Sequence, residues 1–387
     1  MTATLVIDGA SVVTMDPART EHVTGHVVIR DGWIESVGAG RAGEDVRREA
    51  GRVVDGSGCL LTPGLVNTHQ HLYPWATRGW AVDHTLFQWL TTLYPVWSGI
   101  DATTVKAAAS AALGWMARTG CTTTTDHHYV FPHAGGDVLA AEVDAATGIG
   151  LRFHPTRGSM DLGQSQGGLP PDSVVEDLDA ILAASEEAIG RFHDPSPGAM
   201  VRVALAPCSP FSVTAKLMTE AAALARRHGV RLHTHLAETL DEDTFCRERF
   251  GASPTEYVDS LGWLGDDVWL AHAIHLSDQD VARLAQTGTG VAHCPSSNAR
   301  LGAGIARVPE LRAAGVPVGL GVDGAASNEA GSLLEEVRHA ALFARARSGP
   351  DALGVRAALE LATLGGARVL GRDAELGSVE AGKLADL

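Results

Sequence analysis

From Thr62-Pro63-Gly64 onward, short apolar runs of strand length alternate with Ala/Leu-rich stretches of helix length, and this alternation constrains the fold more than any other feature. Eight strands can be read: Leu65–His71, Thr122–His128, Arg152–Gly158, Val201–Pro210, Val230–Glu238, Val268–Leu276, Gly290–Asn298 and Pro317–Gly324. The stretches between them carry helix punctuation. One helix starts near Asp101, runs through Lys106-Ala107-Ala108-Ala109 to Arg118 and stops at Gly120. Another covers about Ser212 to His228, and a third starts at Ser277 with Asp280 three residues on; polar starts and glycine ends are the expected boundary signals. Eight strand–helix units in about 300 residues predict an α/β fold of the (β/α)8 TIM-like barrel type. The rival doubly wound sheet wants a glycine-rich phosphate loop after its first strand, and none follows Leu65–His71.

The first 60 residues read differently. Runs at 4–7, 12–15, 26–30, 33–37 and 52–55 are β-like, with Asp8-Gly9 and Asp31-Gly32 as hairpin signals. The tail from Leu376 to Leu387 turns β-like again and stops on a half-finished strand. The expected division is a barrel over 61–375 and a small composite β-sandwich from 1–60 plus 376–387, incomplete at its C-terminal side.

Composition narrows the partners. With 45% hydrophobic and 20% charged residues the chain can bury a sizeable core, which excludes wholesale disorder. Lys+Arg of 30 against Asp+Glu of 46 gives 30 − 46 = −16, a poor match for nucleic acid or an anionic membrane surface. No stretch approaches the roughly 18 apolar residues of a membrane span, and Met1-Thr2-Ala3-Thr4 lacks a basic signal start. Cys59, Cys121, Cys208, Cys246 and Cys294 are scattered without a CxxC spacing, so reduced thiols and a cytoplasmic location are expected.

Histidine, at 17, is the unusual count. The first strand ends Asn67-Thr68-His69-Gln70-His71. Residues two apart on a strand share a face, so His69 and His71 would enter the barrel mouth about 7 Å apart while Gln70 points away. His233 and His235 lie near the end of the fifth strand, with Glu238 three residues after His235; His272 lies on the sixth, and Asp323 ends the eighth. Strand C-termini converge on one mouth in a barrel, so four strands deliver metal-type ligands to one place.

Those motifs resemble the amidohydrolase superfamily in its cytosine/guanine deaminase and chlorohydrolase branch: Pro63-Gly64-Leu65-Val66-Asn67-Thr68-His69-Gln70-His71, His235-Leu236-Ala237-Glu238, His272, and Val322-Asp323-Gly324 with Ser327-Asn328. Asp126-His127-His128-Tyr129, Thr156-Arg157-Gly158-Ser159-Met160 and Ala206-Pro207-Cys208-Ser209-Pro210-Phe211 are most similar to 8-oxoguanine deaminases. The resemblance implies a hydrolytic deaminase of an amino-substituted N-heterocycle, 8-oxoguanine first, with guanine, isoxanthopterin, isocytosine or an s-triazine as alternatives.

It also implies roles. The metal ligands would be His69, His71, His235 and Asp323. Glu238 would be the general acid for the ring nitrogen, His272 would hydrogen-bond the attacking water, and Asp323 would carry its proton to the leaving ammonia. Binuclear relatives use a carboxylated lysine at the fourth strand end, where this chain reads Ala206-Pro207-Cys208-Ser209-Pro210 with no lysine; its lysines are Lys106, Lys216 and Lys383. One divalent metal is expected, Zn²⁺ first and Fe²⁺ second. Arg157, Cys208, Ser209, Tyr73 and Trp75 are the candidate substrate contacts, with Phe87 and Trp89 extending the aromatic run. His127 or His128 could line the pocket, and His275 and His293 read as supporting or packing groups. Relatives that bind purines place a glutamine where this chain has Pro74. A small heterocyclic substrate and a homo-oligomer complete the expectation.

Overall fold

The computed structural model describes residues 4–387. Among them, strands β1 (Thr4–Val13), β2 (Glu21–Arg30), β3 (Trp33–Ala39), β4 (Arg52–Asp55) and β5 (Leu60–Leu61) form one sheet in the order β3-β2-β1-β4, with β5 beside β1. The Asp31-Gly32 hairpin forms as read: both residues take positive φ, 51° and 84°, which suits a tight two-residue turn. Asp8-Gly9 does not turn. The two runs predicted on either side of it are one strand, and the register shift at Gly9 (φ 83°) is a bulge. The Asp8 carboxylate is held instead by the Ala42 N–H at 2.7 Å and by Arg41 at 3.1 Å.

The tail lies along this sheet without forming a strand. Ile34 N–H donates to Lys383 O, Ala385 N–H donates to Gly32 O, and Val379 packs with Val12, Val27 and Ile34.

Among the described residues, β6 (Leu65–Asn67), β7 (Cys121–His128), β8 (Arg152–Ser159), β9 (Ala204–Pro207), β10 (Arg231–Leu236), β11 (Val268–His272), β12 (Gly290–His293) and β13 (Val318–Leu320) close into a parallel barrel. All eight predicted strands are present, and six run past the observed ends at the mouth. After β6 the chain bends into the mouth, held by Thr68 N–H to Leu320 O and Asp323 N–H to His69 O rather than by ladder pairs. After β12 Pro295 opens the helix Pro295–Arg300, a position that suits proline's fixed φ and missing N–H. The predicted helices are Ala102–Arg118, capped by Asp101; Ala215–His228, capped by Thr214; and Asp278–Thr287, with a Ser277/Asp280 capping box.

The principal apolar layer lies between the strands and the outer helices, around Leu205, Leu232, Leu270, Val291 and Leu320. Trp269 packs with Val66, Ala204, Ala292 and Val369, and its indole N–H donates to Thr68 O at 3.0 Å. A further cluster is built on the helix Leu86–Trp97, whose Trp89, Leu93, Tyr94 and Trp97 pack with Tyr129, Met160 and Phe211. That helix roofs the barrel mouth. No helix is long and apolar enough to cross a membrane among the described residues.

Candidate active site

The mouth is built from strand ends. β6 and the residues after it bring His69 and His71, β10 brings His235, β11 ends on His272, and the turns after β10 and β13 bring Glu238 and Asp323. His272 and Asp323 both have left-handed backbone, φ 70° and 60°. Such conformations are disfavoured for residues with a Cβ and cluster at functional sites. Gly321 permits the close approach of β13 to the ligand turn: a Cβ there would lie 2.7 Å from His69 Cβ and 2.8 Å from His69 O.

Hydrogen bonds decide the imidazole tautomers. His71 Nδ1 faces the His127 carbonyl at 2.6 Å, and His235 Nδ1 faces the Cys208 carbonyl at 2.7 Å. A carbonyl only accepts, so both Nδ1 atoms carry the proton and both Nε2 atoms are bare. His233 Nδ1 likewise donates to Trp269 O at 2.8 Å, which leaves its Nε2 to accept from His69 Nδ1 at 2.8 Å. The third Nε2, that of His69, is therefore also bare, and it is buried with no hydrogen-bond partner.

Three lone pairs thus converge with a carboxylate. His71 and His235 Nε2 lie 3.2 Å apart, and Asp323 Oδ1 lies 3.3 Å from His71 Nε2 and 3.5 Å from His69 Nε2. Facing lone pairs repel unless a cation sits between them. Tetrahedral bonds of about 2.0–2.2 Å would space the ligand atoms roughly 3.3–3.6 Å apart. The donor set therefore fits a divalent metal. Burial first, and the neighbouring imidazoles second, hold His235 well below the usual histidine range; burial takes His71 down to about 3. Burial alone would raise Asp323, but the imidazoles of His69, His71 and His272 around it hold it well below the carboxylate range. Ser297 Oγ donates to its other oxygen at 2.6 Å.

Glu238 behaves oppositely. It is buried without a cationic side chain beside it, and burial, then the charge of Asp323, pushes its carboxyl well above the usual range. Its Oε2 lies 3.6 Å from His272 Nε2, while His272 Nδ1 donates to Asn298 Oδ1 at 2.9 Å. The mouth therefore holds an ionised carboxylate and a carboxyl that favours its proton, side by side.

The cavity over these groups is lined by His71, Glu238, His272, Asp323, Tyr129, Cys208, Ser209 and Ser327, and by Leu86, Trp89, Leu90, Tyr94, Phe211 and Leu301. Its free volume is about 30 Å³.

Cys208 and Ser209 line the cavity, and burial pushes the Cys208 thiol up to about 12, which suits a wall and not a nucleophile. Three predicted substrate contacts lie elsewhere. The Arg157 guanidinium bonds Glu176 at 2.6 Å and lies 3.6 Å over the Phe131 ring, turned to another cavity. Tyr73 packs edge-on against Trp97 and His128. Trp75 packs with the cluster around Leu72 and Phe153. Pro74 is buried beside Gly324 and does not line this cavity. Of the aromatic run, Trp89 lines the cavity and Phe87 supports Phe211 at 4.9 Å. His127 stacks on His235 at 4.5 Å and donates to Ala206 O, His275 bonds Ala303 O, and His293 is buried. Asn298 and Ser297, which hold His272 and Asp323, were not singled out; their helix falls inside a segment predicted as strand. The tautomer-setting partnership of His233 and Trp269 was missed as well.

A model described as "Amidohydrolase family" matches residues 60–387. The chain belongs to the amidohydrolase family. It is a hydrolase acting on carbon–nitrogen bonds. Over 366 residues it is 48% identical to the 8-oxoguanine deaminase of Pseudomonas aeruginosa, covering 94% of this chain and 81% of that protein. It is 41% identical to an isoxanthopterin deaminase from an unknown prokaryotic organism, covering 87% of this chain and 74% of that one. The zinc-complexed atrazine chlorohydrolase of Arthrobacter aurescens superposes with a TM-score of 0.93 at 34% identity, over 98% of this chain and 86% of that one.

None of Lys106, Lys216 and Lys383 lines the cavity. The purified enzyme is accordingly expected to carry about one divalent metal per chain. Elemental analysis finding two tightly held equivalents, or full activity without metal, would remove the four-ligand centre.

Proposed function

We propose that this amidohydrolase deaminates a flat, neutral, amino-substituted N-heterocycle, and that 8-oxoguanine is its substrate. The observation that carries the reading is the pairing of proton-favouring Glu238 with ionised Asp323 on either side of His272. One group can give a proton to a ring nitrogen while the other takes one from water. The 48% identity to an 8-oxoguanine deaminase supports the choice of ring. Cavity chemistry agrees: aromatic walls with no lysine or arginine among the described lining residues suit a planar ring without phosphate or carboxylate.

His69, His71, His235 and Asp323 are the residues that would hold the metal, preferentially Zn²⁺, which when bound acts as a Lewis acid and lowers the pKa of water to about 7. Glu238 protonates the ring nitrogen next to the amino-bearing carbon, which makes that carbon electrophilic. His272 accepts a hydrogen bond from the attacking water through its bare Nε2. Asp323 takes the water proton and passes it to the departing nitrogen. A C–O bond forms, the C–NH₂ bond breaks, the remaining hydroxyl proton returns to Glu238, and 8-oxoguanine plus water gives urate plus ammonia.

A second reading, hydrolysis of an s-triazine, is favoured by the superposition on an atrazine chlorohydrolase. Coupled ammonia detection against 8-oxoguanine, guanine, isoxanthopterin, isocytosine and amino-triazines, with chloride release measured on chlorotriazines, separates the two. Ammonia release fastest from 8-oxoguanine is expected. Chloride release with no purine turnover would replace the first reading with the second.

A further inference from the structure

Behind the ligand turn lies a second cluster of ionisable groups that the mechanism does not use. Asp126 and His128 on β7 and Glu142 on the helix Val138–Ile149 are all completely buried. Their ligand-type atoms lie within 4.8 Å of one another. His128 Nε2 lies 2.8 Å from Val130 O and Nδ1 lies 2.8 Å from Glu142 Oε1. Asp126 Oδ1 accepts the Leu72 N–H at 2.6 Å. Asp126 Oδ2 and Glu142 Oε2 meet no donor, although the two carboxyls stand within hydrogen-bonding reach of each other.

Counting protons resolves the cluster. Val130 O only accepts, so His128 Nε2 carries a proton. One more proton must lie between His128 Nδ1 and Glu142 Oε1, and one between the two carboxyls. The cluster is then neutral, as complete burial requires. Burial pushes Glu142 up to about 8 and raises Asp126 as well, in the same sense. A cation would also neutralise it, but 2.8 Å is a hydrogen-bond distance, shorter than the roughly 3.3 Å between ligand atoms on one tetrahedral metal.

Toward the ligand turn the cluster reaches the Leu72 N–H, next to His71. The adjoining His127 backbone also serves this turn: its N–H donates to Gln70 O at 2.7 Å and its carbonyl accepts from His71 Nδ1. We infer that Asp126, Glu142 and His128 are positioning residues, a neutral hydrogen-bonded strut that ties the Val138–Ile149 helix to the His69–Leu72 turn and fixes the aim of His71. The inference rests on reading His71 as a metal ligand.

The test compares Glu142→Gln with Glu142→Met in the full chain, by metal release to a chelator and by hydrogen exchange of the peptide containing Leu72. Glutamine can donate to His128 Nδ1 and accept from a protonated Asp126, so it should stay within about threefold of wild type in both. Methionine has similar bulk and no such bonds. It should release metal about 10–100-fold faster, the range for lost outer partners of metal ligands, and expose the Leu72 amide to faster exchange. If Glu142→Met does not fold, His128→Phe takes its place with the same expectation. Wild-type behaviour of the methionine variant overturns the strut, because packing alone would suffice. So does a glutamine variant as impaired as methionine, or one that loses a separate equivalent of metal, which would make the cluster a cation site. Wild type that binds no metal defeats the ligand reading, and loss of Leu72 protection in the methionine variant would still support the strut.

Discussion

Glu238→Gln is expected to keep its metal and lose turnover by about 10²–10⁴-fold, the range for a missing general acid. Glutamine has nearly the shape of glutamate and can donate a hydrogen bond to the same ring nitrogen, so substrate should still bind. It has no proton to transfer. The geometry makes the case separable: Glu238 lies 3.6 Å from His272 and is not among the three imidazoles and carboxylate that converge on one point. Metal content and turnover measured on one sample decide it. Full metal with full activity removes the general-acid role, while joint loss of both would make Glu238 a ligand.

His235→Ala and Asp323→Ala should both abolish activity, with metal content falling in step. Each removes one of four converging donors, and Asp323→Ala also removes the proton carrier. The remaining bare Nε2 atoms keep their tautomers, since the carbonyls and His233 that set them are untouched. Weak binding of added metal is therefore expected to survive in His235→Ala. Near-normal turnover in either variant with metal bound would overturn the ligand set.

Much of this centre was legible because a barrel imposes a simple rule: whatever stands at a strand's C-terminal end faces the mouth. His69, His71, His235, His272 and Asp323 could be placed without knowing a single tertiary contact. The strand limits could not, because an apolar run looks the same whether it stays in the ladder or bends out of it, as Thr68 to His71 do. Asp8-Gly9 carried a hairpin signal that the Ala42 amide and Arg41 override. Arg157 was misplaced for a similar reason. Its position at a strand end is right, but Glu176, in the loop before the helix Leu178–Phe192, captures the guanidinium. The roof was not readable either. Tyr73, Trp75, Phe87 and Trp89 are alike in composition, and only helical phase and packing bring Trp89 over the mouth.

That roof has a consequence for how such an enzyme changes its substrate. The reacting end of the cavity is fixed by turns at several strand ends, two of them in disfavoured backbone conformations. The opposite wall comes largely from Leu86, Trp89, Leu90 and Tyr94 on one helix, inserted between the first barrel strand and the helix that returns to the second. The two ends can vary separately. Altering the helix changes which ring is admitted without touching a metal ligand, whereas altering a strand-end turn risks the chemistry itself. New substrate ranges are therefore best sought by randomising those four helical positions while the mouth is left alone.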